Sequence, residues 1–477
     1  PSPLNEEAAW KVGHATAQYL KRSRQADGSP KVKLENTIAV GRDMRPSSPE
    51  MARALIEGIR SVGMDVIDVG MVDTSFIYFA INHLDCVGGV MTTASHNPIE
   101  YNGFKISGPK ARPIGTGTGL DDIKRIATTL RVGHTGLQGK VEVVDLWSEY
   151  KKHVLKFLDL KRPLKVVVDA SNGMAGAMVP KVFGDVKNLE IVPVLFEITG
   201  SFTHEPNPLV EANLAQLKEK LSETPDAVLG ACFDGDADRC IFVDERGAMI
   251  GCDLLTALFA HHFLPKPENK GKTVVYDLRS SHVVQEEIEK LGGVAKRDRV
   301  GHVFMKATLA QTQGVFGGEL SGHFYFRDSF NTDSGAIAFA VLLSIVSASN
   351  KPLSELIRPM RRYAQSGEIN FHVDDKDAKL RELAEVYKKA KIDYLDGVTI
   401  DLGDWWFNVR KSNTEPLLRL NLEASNPKQL AEKLSDLKKI LGEISAPIVS
   451  SSRSLGSPAP VELVGPYLTS RVNLRGE

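Results

Sequence analysis

The sequence predicts a multidomain α/β protein: three related α/β domains followed by a smaller C-terminal α+β domain. Three observations predict it. The chain has 477 residues, which at roughly 100–200 residues per domain allows three or four domains. One local pattern, a β-branched run that closes in a polar Asp-bearing loop and leads into an amphipathic helix, starts at Thr37, again at Leu164 and again at Lys272. Beyond about residue 365 the pattern changes to short strands between charged helices.

Taken in order, the first copy reads TIAVGRDMRPSSPEMARALIEGI, the second LKVVVDASNGMAGAMVPKVF and the third KTVVYDLRSSHVVQEEIEKLG. Runs such as Val166-Val167-Val168 are too short for helices and fit strands buried on both faces. Strands alternating with helices imply βαβ units with right-handed crossovers. After Arg358-Pro359 come FHVDD, a charged helix over 376–390, strands at 398–402, 405–410 and 417–422, and a helix over 427–441. The stretch SAPIVSSSRSLGSPAPVELVG is rich in Ser and Pro without periodicity and predicts an extended surface tail. These breaks place domains at 1–145, 146–252, 253–365 and 366–446, with the tail at 447–477.

Composition narrows the function. Lys+Arg is 59 against Asp+Glu 60, a formal net charge of -1, which argues against broad electrostatic attraction to nucleic acid or anionic membrane. The four cysteines, Cys86, Cys232, Cys240 and Cys252, form no CxxC pair; they read as reduced thiols of a cytoplasmic protein and argue against a zinc site. The longest apolar run, 336–348, falls short of the ~20 residues needed to span a bilayer and predicts a core helix. The first residues have neither a basic nor an apolar region, so no signal peptide is expected, although the first residue is not Met.

Four loops carry the chemistry. In Asp234-Gly235-Asp236-Ala237-Asp238-Arg239, carboxylates at i, i+2 and i+4 converge only if the backbone curls, since a straight strand would spread the outer pair about 13 Å. Hard oxygens of this kind suit Mg²⁺ or Ca²⁺. An EF-hand would need Gly where Arg239 stands, and the flanks read as strands, so that alternative fails. The apolar runs on both sides also argue against a solvated acidic turn. In Thr92-Thr93-Ala94-Ser95-His96-Asn97-Pro98 a turn of small residues follows a strand; the residues alone leave Ser95 open between a nucleophile and a turn serine. Lys105 lies ten residues on. Arg410-Lys411-Ser412-Asn413-Thr414 offers a guanidinium, hydroxyls, an amide and backbone N–H groups, an anion cradle, and no Walker motif points to a nucleotide. Gly318-Glu319-Leu320-Ser321-Gly322-His323 groups a carboxylate, a hydroxyl and an imidazole suited to vicinal diols, and His302 follows Arg299-Val300-Gly301 nearby.

In this order, TASHNP, DGDADR, GELSGH and RKSNTEP resemble the α-D-phosphohexomutase family, and within it the phosphomannomutase/phosphoglucomutase group, whose sugar loop also reads GELSGH. The resemblance runs from NEEAAWKVGHATA to about residue 445. It implies four domains with mixed sheets around a central cleft, and reversible phosphoryl transfer between C1 and C6 of mannose or glucose phosphate through a hexose 1,6-bisphosphate. By resemblance Ser95 carries the phosphoryl group, and Asp234, Asp236 and Asp238 hold Mg²⁺ with an oxygen on Ser95. A phosphoserine brings about -2, which Arg239 and Arg42 would help offset. Arg410, Ser412, Asn413 and Thr414 match the grip on the non-reacting phosphate. Glu319 and Ser321 match contacts to sugar hydroxyls, with His323 in support; Lys105 and His302 match positions near proton transfer.

Two departures stand out. The family's Tyr-Asp-x-Arg-Gly loop precedes the point where this sequence starts, and Arg279 stands where several members have Lys. The alternatives are a phosphoglucosamine mutase or hexose-bisphosphate synthase, or a non-catalytic sugar-phosphate-binding paralogue. The expected partners are small hexose phosphates, with no nucleic acid and no membrane; the residues leave monomer or dimer open.

Overall fold

Each of the three repeats read from the sequence is a strand held between two parallel neighbours. Leu34–Arg42 lies between Asp65–Met71 and Cys86–Thr92, Leu164–Asp169 between Leu189–Val194 and Leu229–Phe233, and Thr273–Asp277 between Val294–Asp298 and Phe316–Gly318. The helices Ser48–Arg60, Ala175–Phe183 and His282–Lys290 follow the three central strands. This is a computed structural model, and it describes residues 4–23, 31–133, 138–412, 417–442, 444 and 468–471. The chain divides into two compact units. One comprises the described residues up to Ile250, together with 321–356 and 468–471; the other comprises 251–320 and the described residues of 357–444.

The first unit contains two mixed sheets. In one, Cys86–Thr92 also pairs antiparallel with Tyr101–Ser107, whose outer edge is taken by Leu468–Arg471. Part of the stretch expected as a surface tail is therefore an edge strand; the open N–H and C=O groups of a sheet edge pair readily with an extended segment. In the other sheet, Cys240–Asp244 closes one side antiparallel to Leu229–Phe233. The apolar run read as a core helix forms Gly335–Ser347, buried nearly all round. Its Phe339 packs edge-on against Phe183 and Phe233 at 5.2 and 5.9 Å. Among the described residues no helix is long and apolar enough to cross a membrane.

The second unit carries an antiparallel sheet in the order Ala364–His372, Leu417–Ala424, Trp405–Lys411, Val398–Asp401, Lys391–Asp393. Strand alternation sends Phe407 and Val409 into an apolar core with Leu383 and Leu437, from the helices Lys376–Val386 and Pro427–Leu441. Asn408 and Arg410 necessarily point to the opposite, polar face. The charged helix expected to reach 390 stops at Val386, because Tyr387 turns in against Trp405 and Phe407 at 5.8 and 5.3 Å.

Close backbone approach fixes the helices Glu6–Ser23 and Ser48–Arg60. A Cβ on Gly58 would lie 2.0 Å from the Trp10 carbonyl oxygen, and one on Gly13 2.1 Å from that of Leu55. The collision is with backbone, so no side-chain motion relieves it. Gly58→Ala is expected to destabilise the chain by about 1–3 kcal/mol, the usual range for overpacking. Urea denaturation midpoints of the two chains check it; equal midpoints would mean that the crossing is looser than described.

Candidate active site

In α/β sheets, ligands gather outside the carboxyl ends of the parallel strands, and the serine and aspartate loops singled out in the sequence lie there with two further loops of the first unit. Residues 93–97 follow Cys86–Thr92, residues 234–239 follow Leu229–Phe233, residues 43–47 follow Leu34–Arg42, and residues 72–73 follow Asp65–Met71.

The aspartate loop curls as its spacing required. Ala237 sits in the left-handed region at φ 57°, and its N–H donates to the Asp234 carbonyl at 3.1 Å. One carboxylate oxygen from each of Asp234, Asp236 and Asp238 falls within 4.8 Å of the others. All three residues are fully buried. Gly235 has a reason to be glycine: a Cβ there would lie 2.4 Å from the Ser95 carbonyl oxygen. The two loops touch through backbone.

Ser95 is also left-handed, at φ 50°. Its N–H donates to Thr93 Oγ1 at 3.0 Å and its hydroxyl donates to Asp234 Oδ2 at 3.0 Å, with His96 Nδ1 at 3.4 Å. Arg239 Nε donates to the same Asp234 oxygen at 3.0 Å. Lys105 Nζ donates to Asp236 Oδ2 and to Asp238 Oδ2, both at 2.6 Å. His323 Nε2 stands 3.6 Å from Asp238 Oδ1 and 3.8 Å from Asp333 Oδ2. Its Nδ1 is 3.0 Å from the Ser321 hydroxyl, and the Ser321 carbonyl accepts from Arg239 Nη1 at 3.3 Å. Ser95, Lys105, Arg239, Ser321, His323 and the three aspartates are thus together in the first unit. Arg42 is half-buried and donates to the Asp43 carbonyl at 3.4 Å.

Three neighbours went unread in the sequence. The Thr74 hydroxyl donates to Asp236 Oδ2 at 2.5 Å, and its N–H donates to the Asp236 carbonyl at 3.1 Å. Asp73 caps the helix Thr74–Leu84 by accepting from the Phe76 N–H, and accepts from the Tyr150 hydroxyl at 2.8 Å. An Asp-Thr pair after a strand was an available N-cap signal. Arg45, in the quoted GRDMR, donates to the backbone carbonyls of the serine loop. Nothing local in the sequence distinguishes it from Arg42.

Burial dominates the electrostatics. It pushes the Asp234 carboxyl up to about 7, against the pull of Arg239. For Asp238 burial acts the same way, but Lys105, His323 and Arg239 outweigh it and hold that carboxyl well below the usual range. Asp236 Oδ1, Asp238 Oδ1 and Arg239 Nη2 are buried with no hydrogen-bond partner among the described residues. Two such oxygens beside three carboxylates fit a hard divalent cation, and the unpaired guanidinium N–H fits an anionic oxygen.

The second unit holds the remaining candidates. Glu319 Oε1 accepts from the Gly301 N–H at 2.8 Å, which brings it beside His302 at the start of the helix His302–Thr312. Glu368 accepts from Arg410 Nη2 and from Arg419 Nη1, each at 2.9 Å, with Arg279 Nη1 at 3.6 Å. Burial would raise Glu368, but the three guanidinium groups hold its carboxyl below the ordinary value. Arg410 Nε is buried without a hydrogen-bond partner among the described residues. Arg279 also lines a cavity of about 270 Å³ with Gln365, Trp406, Asn421 and Glu423. The Ser412 N–H is engaged by the Leu417 carbonyl at 2.9 Å; Asn413 and Thr414 lie outside the described residues.

Fold and loops define a multidomain α/β protein in which a buried acidic loop lies against a serine. The chain belongs to the phosphoglucomutase/phosphomannomutase family: the family's alpha/beta/alpha domains I, II and III match residues 1–131, 148–247 and 252–363, and its C-terminal domain matches 368–438. Its class of activity is that of a phosphohexomutase, an isomerase. It is 37% identical over 439 residues to the phosphohexose mutases of Xanthomonas campestris pv. campestris (strain B100), covering 91% of this chain and 94% of that one. It is 35% identical over 448 residues to the phosphomannomutase of Escherichia coli (strain K12), covering 90% and 93%. A solved phosphoglucomutase/phosphomannomutase family protein from Burkholderia thailandensis superimposes with a TM-score of 0.82 at 31% identity, covering 92% of this chain and 93% of that one.

Asp73 supplies a pH test. Burial raises its carboxyl to about 7 from an ordinary 3.8. A carboxyl raised by folding contributes stability that is complete at low pH and is lost as pH rises through the folded value. Asp73→Asn keeps an oxygen for Tyr150 and Phe76 without the titration. The variant is expected to gain on the wild type, by on the order of 2 kcal/mol, between pH 5 and pH 8. Urea titrations at both pH values check it; a difference independent of pH contradicts the assignment.

Proposed function

We propose that the chain interconverts the 1- and 6-phosphates of a hexose, mannose or glucose, with Ser95 as phosphoryl carrier. The observation that carries this reading is the Ser95 hydroxyl at 3.0 Å from Asp234, inside a loop of three buried aspartates. Asp234, Asp236 and Asp238 are the proposed Mg²⁺ ligands, together with an oxygen on Ser95. When bound, Mg²⁺ neutralises charge that develops on the transferring phosphoryl group.

The chain's own residues do the rest. In the forward half-reaction the phosphorus–oxygen bond to Ser95 breaks and a bond from phosphorus to the free sugar hydroxyl forms. The hydroxyl proton passes to Lys105 or, in the opposite substrate orientation, to His302, the acceptor being in its neutral form, and the Ser95 oxygen takes up a proton as it leaves. The product of that half-reaction is a hexose 1,6-bisphosphate, which must turn by about 180° before its other phosphate returns to Ser95. Arg239, whose Nη2 has no hydrogen-bond partner among the described residues, is proposed to follow the phosphoryl oxygens. Arg410, with Ser412, Asn413 and Thr414, is the proposed grip on the non-reacting phosphate. It recognises a phosphate and not a carbon, which suits both orientations. Glu319 and Ser321 are proposed to hold sugar hydroxyls at C3 and C4, with His323 behind them and Arg42 adding positive charge.

Ser95→Ala is expected to lower turnover of glucose 1-phosphate to below a few per cent, because no neighbouring group carries phosphoryl between half-reactions. A coupled assay reads it, and substantial residual turnover refutes the carrier role. Asp236→Ala should weaken Mg²⁺ binding in calorimetry as well as activity, since two carboxylates hold the cation poorly; unchanged affinity would show the aspartate loop to be misassigned.

Sugar choice is tested separately. Mannose and glucose phosphates differ at C2, which none of the proposed contacts reads. Their kcat/KM values are expected to agree within roughly tenfold, about 1.4 kcal/mol. A preference above a thousandfold, or a better rate with glucosamine 1-phosphate, would replace this substrate assignment.

A further inference from the structure

We infer that Arg45 is a positioning residue that holds Ser95 in the conformation required to give up and take back a phosphoryl group; the inference rests on the phosphoserine reading above. Arg45 is 1% exposed. Its Nε donates to Asp43 Oδ2 at 3.1 Å. Nη1 donates to the carbonyls of Pro98 and Tyr101 at 2.5 and 3.0 Å, and Nη2 to those of Ser95 and Asn97, both at 2.8 Å. A guanidinium has five N–H groups, and all five are committed.

That saturation decides the role. With no N–H left for a phosphoryl oxygen, Arg45 acts through the loop and not by contact. Four carbonyls between 95 and 101 point at one place, an arrangement in which their dipoles repel unless a multidonor cation sits among them. Ser95 is also in the left-handed region at φ 50°, a conformation that costs a non-glycine residue roughly 1 kcal/mol or more. The fork of Arg45 bears on both: it ties the Ser95 and Asn97 carbonyls from one nitrogen, and with them the direction of the serine side chain.

The arginine is itself held. Asp43 accepts from the Arg45 N–H at 3.0 Å and from the Ser48 hydroxyl at 2.5 Å, and Asn102 Nδ2 donates to that hydroxyl at 2.9 Å. Phe202 covers the guanidinium face at 5.3 Å. Lysine keeps the charge but offers its donors from a single point, which cannot satisfy four carbonyls and a carboxylate spread around a planar fork.

The test uses the full chain with Mg²⁺, as Arg45→Lys and Arg45→Met, measuring kcat, KM for glucose 1-phosphate, and single-turnover phosphoryl transfer from the phosphorylated enzyme to sugar. Misplacing a reacting group by about 1 Å costs on the order of 10²-fold. Both variants are expected to lose roughly that factor in kcat and in the single-turnover rate, with KM changed by less than about threefold. Lysine should restore little over methionine. A lysine variant within about threefold of wild-type kcat would show that charge, not the fork, matters and would overturn the inference. So would a loss shared equally with KM and thermal stability, the mark of a general structural role. If neither variant folds, Asp43→Asn, which frees one end of the fork, should show the same kcat-only loss in smaller degree, and its absence overturns the inference. If the wild-type enzyme carries no phosphoryl group on Ser95, the phosphoserine reading itself falls first.

Discussion

Burying three carboxylates in one loop, against the backbone of a serine loop, is the constraint around which the first unit is organised. Isolated carboxylates are expensive to take out of water, so their burial demands compensation from fixed partners. Lys105 spans Asp236 and Asp238, Arg239 returns to Asp234 from the same loop, and Thr74 donates to Asp236. The compensation is incomplete: Asp234 is still raised to about 7, and Asp236 Oδ1 and Asp238 Oδ1 have no hydrogen-bond partner among the described residues. A site that neutralised itself fully would have nothing left with which to hold a cation.

The second unit shows the opposite balance. Arg410 and Arg419 share the carboxylate of Glu368, and Arg279, held by Asp277 at 2.8 and 3.2 Å, stands 3.6 Å from it. Three guanidinium groups thus gather at one place, and the Arg410 Nε has no hydrogen-bond partner among the described residues. Such a surplus suits an anion, whereas the surplus of carboxylates in the first unit suits a cation. In the second unit this follows from strand alternation, since Arg410, Arg419 and Glu368 alternate with the core residues Val409, Leu418 and Ile369; in the first unit it follows from the curl of the aspartate loop.

Much of this was legible in the sequence because it is local. The convergence of Asp234, Asp236 and Asp238 was legible from their spacing, whereas residue type alone left Ser95 open and only the resemblance of its loop pointed to a role. The central strand of each repeat was legible from its β-branched run, and the helix 427–441 has the bounds expected of it. Thr74 and Arg45 were not legible, because they matter through contacts with residues far along the chain: Asp236 for Thr74, and the carbonyls of 95–101 for Arg45. Backbone carbonyls leave no mark in a sequence. The strand at 468–471 was missed for the same reason, since its pairing with Tyr101–Ser107 depends on an open edge and not on its own composition.

On the reading proposed above, the aspartate loop serves a phosphoryl group on Ser95. The most direct measurement is peptide mass spectrometry of the purified full chain, before and after brief exposure to glucose 1-phosphate or mannose 1-phosphate with Mg²⁺. The expected result is a phosphoryl group on the peptide containing Ser95, transferred to sugar on mixing and restored by hexose 1,6-bisphosphate. A phosphoryl group found on another residue, or one on Ser95 that sugar phosphate never removes, would contradict it.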